Sequence, residues 1–220
     1  MTRFLLPLAA AVALTAATAP RPWTAVATPA ATGSYLIGNP KARVKLVEYV
    51  SYTCPHCAHF EHEAGATLDA MVASGSTSVE IRNQVHDGID LAAATLARCA
   101  GAAAFPKVHA AFFRDQEQWV ERASEWAQGN RDRIASWPQL AQLSAVAEGA
   151  GLTRIARDAG APAPAIQSCF ATDAVVKRTI AASEATSKVQ GTPAFEINGR
   201  LIQNVGWAQL QPQLRAAGAK

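Results

Sequence analysis

The chain has 220 residues, 50% of them hydrophobic, with 20 Lys and Arg against 17 Asp and Glu for a formal net charge of +3. That length and apolar content suffice for one enlarged domain or two small ones and exclude a disordered or fibrous protein. The near balance of charge gives no reason to expect nucleic acid as a partner.

Arg3, followed by an apolar, alanine-rich stretch over residues 4–19, reads as an export signal. Pro7 and several threonines leave this stretch too short and too weakly apolar to serve as a membrane anchor. Small residues suit cleavage after Ala19, although the next residue is the unfavourable Pro20, or after Ala27. No cysteine stands near the signal, so a lipid anchor is not expected. Taking 1–27 as the signal and processing region removes Arg3 and Arg21 and no acid, which leaves 18 basic against 17 acidic residues. A periplasmic location follows, and an oxidising compartment favours disulfides over metal thiolates for the 4 cysteines.

Residues 28–34 are small and turn-forming and suit a flexible lead-in, with folded structure beginning near Tyr35. Residues 43–50 (RVKLVEYV) read as a buried strand, and a helix should open at Cys54 or Pro55 and run to Gly75. Residues 78–85 alternate as a second strand, parallel to the first with a right-handed crossover. From about 89 to 189 the chain is helical, with amphipathic stretches at 89–103, 105–127, 138–158 and 171–189. Breaks are expected at Gly101, Phe105-Pro106, Gly129-Asn130 and Pro162 to Pro164. Strands return at 194–197 and 201–205 around Asn198-Gly199, a type I′ hairpin dipeptide, and a last helix covers 207–217. The fold class is therefore α/β: a sheet domain of 35–88 and 190–220, split by an all-helical insertion over 89–189.

Cys54, Pro55, His56 and Cys57 form a CPHC motif at the start of the first helix. A dithiol that exchanges electrons needs one exposed, ionised sulfur and a second within reach. Cys54 at the helix N-terminus meets unpaired N–H groups and the helix dipole, while Cys57 lies one turn inside. Pro55 fits the first turn, where its missing N–H costs nothing. His56 can donate a hydrogen bond, or a charge when protonated, to the Cys54 thiolate. A stable thiolate means a stable reduced form, hence a disulfide readily given away.

Other readings compete. A c-type haem site needs histidine directly after the second cysteine, where Ala58 stands. Zinc could be held by Cys54, Cys57, His59 and His62, although three of them crowd one helix. A purely structural bridge across two residues would restrict little of the unfolded chain. We expect neither metal nor cofactor.

With CPHC after VEYVSYT, GTPAFEING near the C-terminus and a helical insertion between them, the chain resembles the DsbA family of extracytoplasmic disulfide oxidoreductases. The resemblance covers roughly residues 35–217 and implies a thioredoxin-like fold. It implies a cis Pro193 facing the dithiol, with the Thr192 backbone pairing with a substrate chain. It also makes Glu48 the acid beneath the dithiol, able to relay the proton of Cys57, whereas alternation alone would allow a surface carboxylate near Lys45. Arg82 would stand as the basic partner of that acid.

The family implies donation of the Cys54–Cys57 disulfide to folding exported proteins with free thiols and reoxidation by a quinone-linked membrane protein. Thr192 before the proline is more typical of isomerase and reductase relatives, so a reductase or isomerase remains an alternative. A non-catalytic, metal-loaded binding protein is another. Against an isomerase, those relatives carry an N-terminal dimerisation domain, for which too few residues precede Tyr35; a monomer is expected.

Cys99 and Cys169 both fall in the helical insertion and are expected to form a structural disulfide, the alternative being two buried free thiols. His86 and His109 carry no motif and suit surface or packing roles. Trp119, Trp126 and Trp137 recur on helical segments as packing residues. Tyr35, Tyr52 and Phe60 are candidates for the apolar rim of the site.

Overall fold

The computed structural model describes residues 22–220; of the 1–27 signal and processing region, residues 1–21 lie outside them. The chain runs through β1 (Ala27–Pro29), β2 (Tyr35–Gly38), β3 (Val44–Val50), α1 (Pro55–Ala73) and β4 (Thr77–Asn83). Seven helices follow: α2 (Gly88–Cys99), α3 (Gly101–Arg114), α4 (Gln116–Ile134), α5 (Gln139–Gly149), α6 (Leu152–Asp158), α7 (Ala163–Gln167) and α8 (Ala174–Glu184). Then come β5 (Ala194–Ile197), β6 (Arg200–Gln203) and α9 (Trp207–Ala217).

The strands form one sheet in the order β1-β2-β4-β3-β5-β6, with β3 and β4 parallel and every other pair antiparallel. β3 is central, which explains its near-continuous apolar run: of its residues only Lys45 is exposed. Val44, Leu46 and Val50 join the main core, while Val47 and Tyr49 point the other way into a small cluster with Val189 and Ala194. At the β5–β6 hairpin, Asn198 and Gly199 have φ of 51° and 87°, as a type I′ turn requires.

α1 buries Cys57, Phe60, Ala64, Leu68, Met71 and Val72, a stripe at helical spacing. The Phe60 ring lies 4.6 Å from Phe195 and 6.0 Å from Trp207, tying α1 to β5 and α9. The alanine richness of the insertion has a packing role: along α2, Ala92, Ala93, Ala94 and Ala97 are wholly buried, which lets neighbouring helices approach closely. The same core that holds Val44 and Leu46 continues through Leu96, Phe105, Phe112 and Trp119, so sheet and insertion share one interior.

Several local expectations change. The supposed lead-in of 28–34 is part of a hairpin, with Thr28 opposite Leu36 and Pro29 opposite Tyr35. Its small residues make a turn held by the Thr32 and Ser34 hydroxyls, each 2.6 Å from Glu80 Oε1, and by Arg98 on the Gly33 carbonyl. Gly101, with φ of +73°, does separate two helices. Pro106, by contrast, sits inside α3, where burial of Phe105 and Val108 outweighs one missing hydrogen bond. α4 runs on through Gly129 and Asn130, since one glycine in an exposed helix costs only about 1 kcal/mol. The 105–127 stretch divides at Asp115 and the 138–158 stretch at Gly151. Trp119 is fully buried, whereas Trp137 is exposed with Arg133 over its ring at 5.7 Å.

Cys99 and Cys169 form a disulfide that joins the end of α2 to the chain after α7, with 70 positions between them and Cα atoms 5.7 Å apart. In the chain-entropy account a loop of this size contributes roughly 4 kcal/mol. Replacing both cysteines by serine is therefore expected to lower the thermal midpoint by roughly 10 °C, read by scanning calorimetry, while leaving the fold intact.

Candidate active site

The first N–H groups of a helix have no intrahelical partner, and α1 points its own at Cys54. Cys54 is the N-cap, with extended backbone at φ −79° and ψ 117°, and Pro55 occupies the first helical turn. Cys54 and Cys57 are free thiols in this structure. Cys54 is 8% exposed and Cys57 is wholly buried one turn inside.

The hydrogen bond from Cys57 is the foremost cause that lowers the Cys54 thiol, and the Thr192 side chain and the backbone N–H groups of Cys57 and His56 add to it against the opposing effect of burial. The outcome is a thiol lowered to about 5. Burial, then the hydrogen bond and charge of Cys54, push the Cys57 thiol far above the usual thiol range. The pair is thus divided into one ready anion and one retained proton. His56 contributes through its backbone N–H, and its ring stands exposed.

The Thr192–Pro193 peptide bond is cis, as the resemblance implies. It brings the loop before β5 onto the nucleophile, where Cys54 Sγ donates to the Thr192 carbonyl at 3.2 Å. The buried Thr192 hydroxyl has no partner in this thiol state among the described residues. A thiolate cannot donate to a carbonyl, so on ionisation this hydroxyl supplies the replacement donor.

Glu48 lies on β3 opposite Phe195 of β5 and Ile81 of β4, on the side of the sheet that faces the main core. It is 1% exposed, so it is no surface carboxylate. Burial first, and the charge of Glu61 second, hold its carboxyl well above the usual carboxylate range, and its Oε1 lacks a hydrogen-bond partner among the described residues. Glu48 lines a groove of about 1200 Å³ together with Thr53, Pro55, Glu61, His109 and Gln116. Arg82 does not partner it. In register with Tyr49, Arg82 projects from the opposite face, pairs with Glu80 at 2.8 Å and donates to Tyr49 Oη at 3.2 Å.

Other residues acquire roles that nothing in the sequence announces. Asp90 on α2 accepts from the backbone N–H of Tyr52 at 2.8 Å and of His86 at 3.0 Å, and burial raises its carboxyl to about 6. His109 on α3 is 4% exposed; its Nδ1 lies 3.0 Å from Tyr52 Oη and its Nε2 3.0 Å from Glu61 Oε1. Tyr52 and Phe60 are fully buried core residues and the partly buried Tyr35 packs on Phe105 at the edge of that core, so the three do not form an active-site rim. His59 pairs with Glu63 at 3.3 Å, and among the described residues no three His, Cys, Asp or Glu side chains converge as a metal site.

A lowered nucleophile beside a raised partner can carry out thiol–disulfide exchange. The sign of its pH dependence follows from the shift. Because the folded Cys54 pKa of about 5 is below the ordinary 9.0, the stabilisation of the reduced protein is complete above 9.0 and is lost as pH falls through about 5. Ultraviolet titration of the reduced thiolate should therefore show its midpoint near 5, and Thr192→Val should raise it. With Cys57 still protonated, reduction takes up one proton above that midpoint and two below it. The redox potential should then fall by ~30 mV per pH unit above it and ~59 mV below it.

The profile of the family described as Thioredoxin matches residues 30–216. A "Putative protein-disulfide oxidoreductase" of Rickettsia prowazekii (strain Madrid E) is 29% identical over 174 residues, 77% of this chain and 56% of its own length. The chain thus spans about half the length of the curated relatives it matches. The crystal structure of a protein-disulfide isomerase from Novosphingobium aromaticivorans is similar with a TM-score of 0.73 at 34% identity, covering 82% of this chain and 95% of that one. Wolbachia pipientis alpha-DsbA1 has a similar fold, with a TM-score of 0.63 at 18% identity over 84% of this chain and 90% of its own. The extent of the family match, together with the helices inserted between β4 and β5, establishes that this chain belongs to the thioredoxin family and has a DsbA-like fold.

Proposed function

We propose that this protein is an exported thiol:disulfide oxidoreductase that donates its Cys54–Cys57 disulfide to folding proteins. The observation that carries this reading is the opposite displacement of the two thiols, Cys54 down to about 5 and Cys57 upward. A substrate thiolate attacks Cys54 Sγ, the Cys54–Cys57 bond breaks, and Cys57 leaves with the electron pair and takes a proton. A second substrate thiolate then attacks the substrate sulfur of the mixed disulfide and expels Cys54 as a stable thiolate. The substrate has gained a disulfide, and the cysteine pair holds two electrons.

Glu48, held in its protonated form by burial, supplies the proton to Cys57 and recovers it when the disulfide re-forms. The substrate chain lies across the loop at Pro193, pairing with the Thr192 backbone. The clients are exported proteins with free thiols, the chain acts as a monomer in the periplasm, and a quinone-linked membrane protein reoxidises the dithiol. A second reading, disulfide isomerisation, is favoured by Thr192 before the cis proline and by the name of the Novosphingobium relative.

Equilibration with glutathione separates an oxidant from a reductant, and refolding of a protein with scrambled disulfides tests the isomerase reading. An oxidase should show a potential well above that of thioredoxin, and a value near thioredoxin's would sink the oxidase reading. The oxidised protein should pass its disulfide to a reduced, unfolded protein. Cys54→Ser should abolish that transfer, and Cys57→Ser, which cannot form the active-site disulfide, should trap a mixed disulfide when its Cys54 thiolate attacks a disulfide-bonded substrate protein and expels one of its sulfurs as thiolate. Glu48→Gln should slow the proton-coupled step by roughly tenfold or more in single-turnover measurements while leaving the Cys54 thiolate formed.

A further inference from the structure

The loop of residues 51–54, between β3 and α1, is held by side chains from three successive helices of the insertion. Asp90 of α2 takes the Tyr52 N–H, and His109 of α3 takes the Tyr52 hydroxyl. Gln116, the first residue of α4, donates from Nε2 to the Tyr52 carbonyl at 2.9 Å and to the Cys54 carbonyl at 2.8 Å. Asp90 and His109 grip the loop at Tyr52. Gln116 reaches the nucleophilic residue itself, and it does so from a site that is 6% exposed.

The carbonyl it braces is the one on which α1 begins. Cys54 O also accepts the N–H of Cys57 at 3.1 Å and of Ala58 at 3.3 Å. Rotation of that carbonyl would turn the first peptide planes of α1 and carry their N–H groups off the line to Cys54 Sγ. The Tyr52 carbonyl, two residues earlier in a fully buried residue, is fixed by the same amide, so the two ends of the segment leading into the nucleophile cannot swing independently.

We infer that Gln116 is a positioning residue for the nucleophile: one side-chain amide from the helical insertion fixes the backbone from Tyr52 to Cys54, keeping Cys54 Sγ over the α1 N-terminus and against Thr192. The inference rests on the thiol–disulfide exchange reading and deepens it, because it gives the insertion a part in setting the reactivity of a cysteine on the sheet domain. A methionine in place of Gln116 has similar length and no donor. A glutamate keeps the shape and turns carboxylate oxygens toward two carbonyls. An asparagine keeps the amide and loses the reach.

The test uses the full chain with Gln116→Met, Gln116→Glu and Gln116→Asn, and with Leu143→Ala as a control that removes core packing on α5 and none of these hydrogen bonds. Two quantities are read: the thiolate midpoint of Cys54 in the reduced protein and the equilibrium constant with glutathione. Each Gln116 variant that folds is expected to raise the midpoint by about one unit and to shift the equilibrium about tenfold toward the disulfide. Leu143→Ala should lower thermal stability and move neither quantity. A folded Gln116 variant with the wild-type midpoint and equilibrium overturns the inference, and so does a shift of equal size in Leu143→Ala. If the unsubstituted protein does not exchange with glutathione, the exchange reading fails instead, and the thiolate midpoints, which need no exchange, still decide the role of Gln116.

Discussion

A sulfur held against the first N–H groups of a helix that buries one face is the constraint around which this structure is arranged. α1 can offer those groups to Cys54 because Pro55 needs no hydrogen bond there and because the helix is pinned at Phe60 by Phe195 and Trp207. Had the helix begun a residue earlier or later, Cys57 would not lie one turn behind Cys54 in the core. Burial of Cys57 and the proximity of the two sulfurs together divide their acidities: the proton stays on the more buried atom.

The helical insertion is part of this arrangement rather than an appendage. Its alanines let α2 sink into the same interior as β3, and the core passes from Leu46 to Trp119 without interruption. The Cys99–Cys169 bridge closes the insertion on itself, linking α2 to the chain after α7. An insertion packed this firmly can hold a loop of the sheet domain to hydrogen-bond precision, as Asp90, His109 and Gln116 do around Tyr52.

The buried polar groups of the two sheet faces differ in how far they are satisfied. Glu48 in the middle of the central strand costs desolvation that a leucine would avoid, and its unpartnered Oε1 adds to that cost. On the opposite face, by contrast, Tyr49, Glu196, Arg82 and Glu80 satisfy one another through a connected set of hydrogen bonds. The first leaves a carboxyl oxygen without a partner among the described residues, and the second holds a shape.

Much of this is legible in local sequence. The apolar run of β3, the alternation of β4, Asn198-Gly199 at the hairpin, the extent of α9 and the CPHC spacing depend on near neighbours in the chain. The order of the 28–34 turn comes instead from Glu80 and Arg98, far away in sequence, so local composition suggests a flexible lead-in there. Pro106 has the local character of a break because the burial that outweighs it is tertiary. Glu48 and Pro193 stand out only through resemblance to a family, and that resemblance misplaces Arg82, whose face of the sheet is set by register with Tyr49. Asp90, His109 and Gln116 carry no signal at all, since a hydrogen bond to a loop 38 to 64 positions away leaves no periodicity or spacing behind. The sequence by itself determined that two cysteines would meet at the start of a helix, because that is local geometry. Only the tertiary structure decided what would hold the Cys54 sulfur in place and how deeply Cys57 would be buried, because burial and long-range hydrogen bonds exist only once the chain has closed on itself.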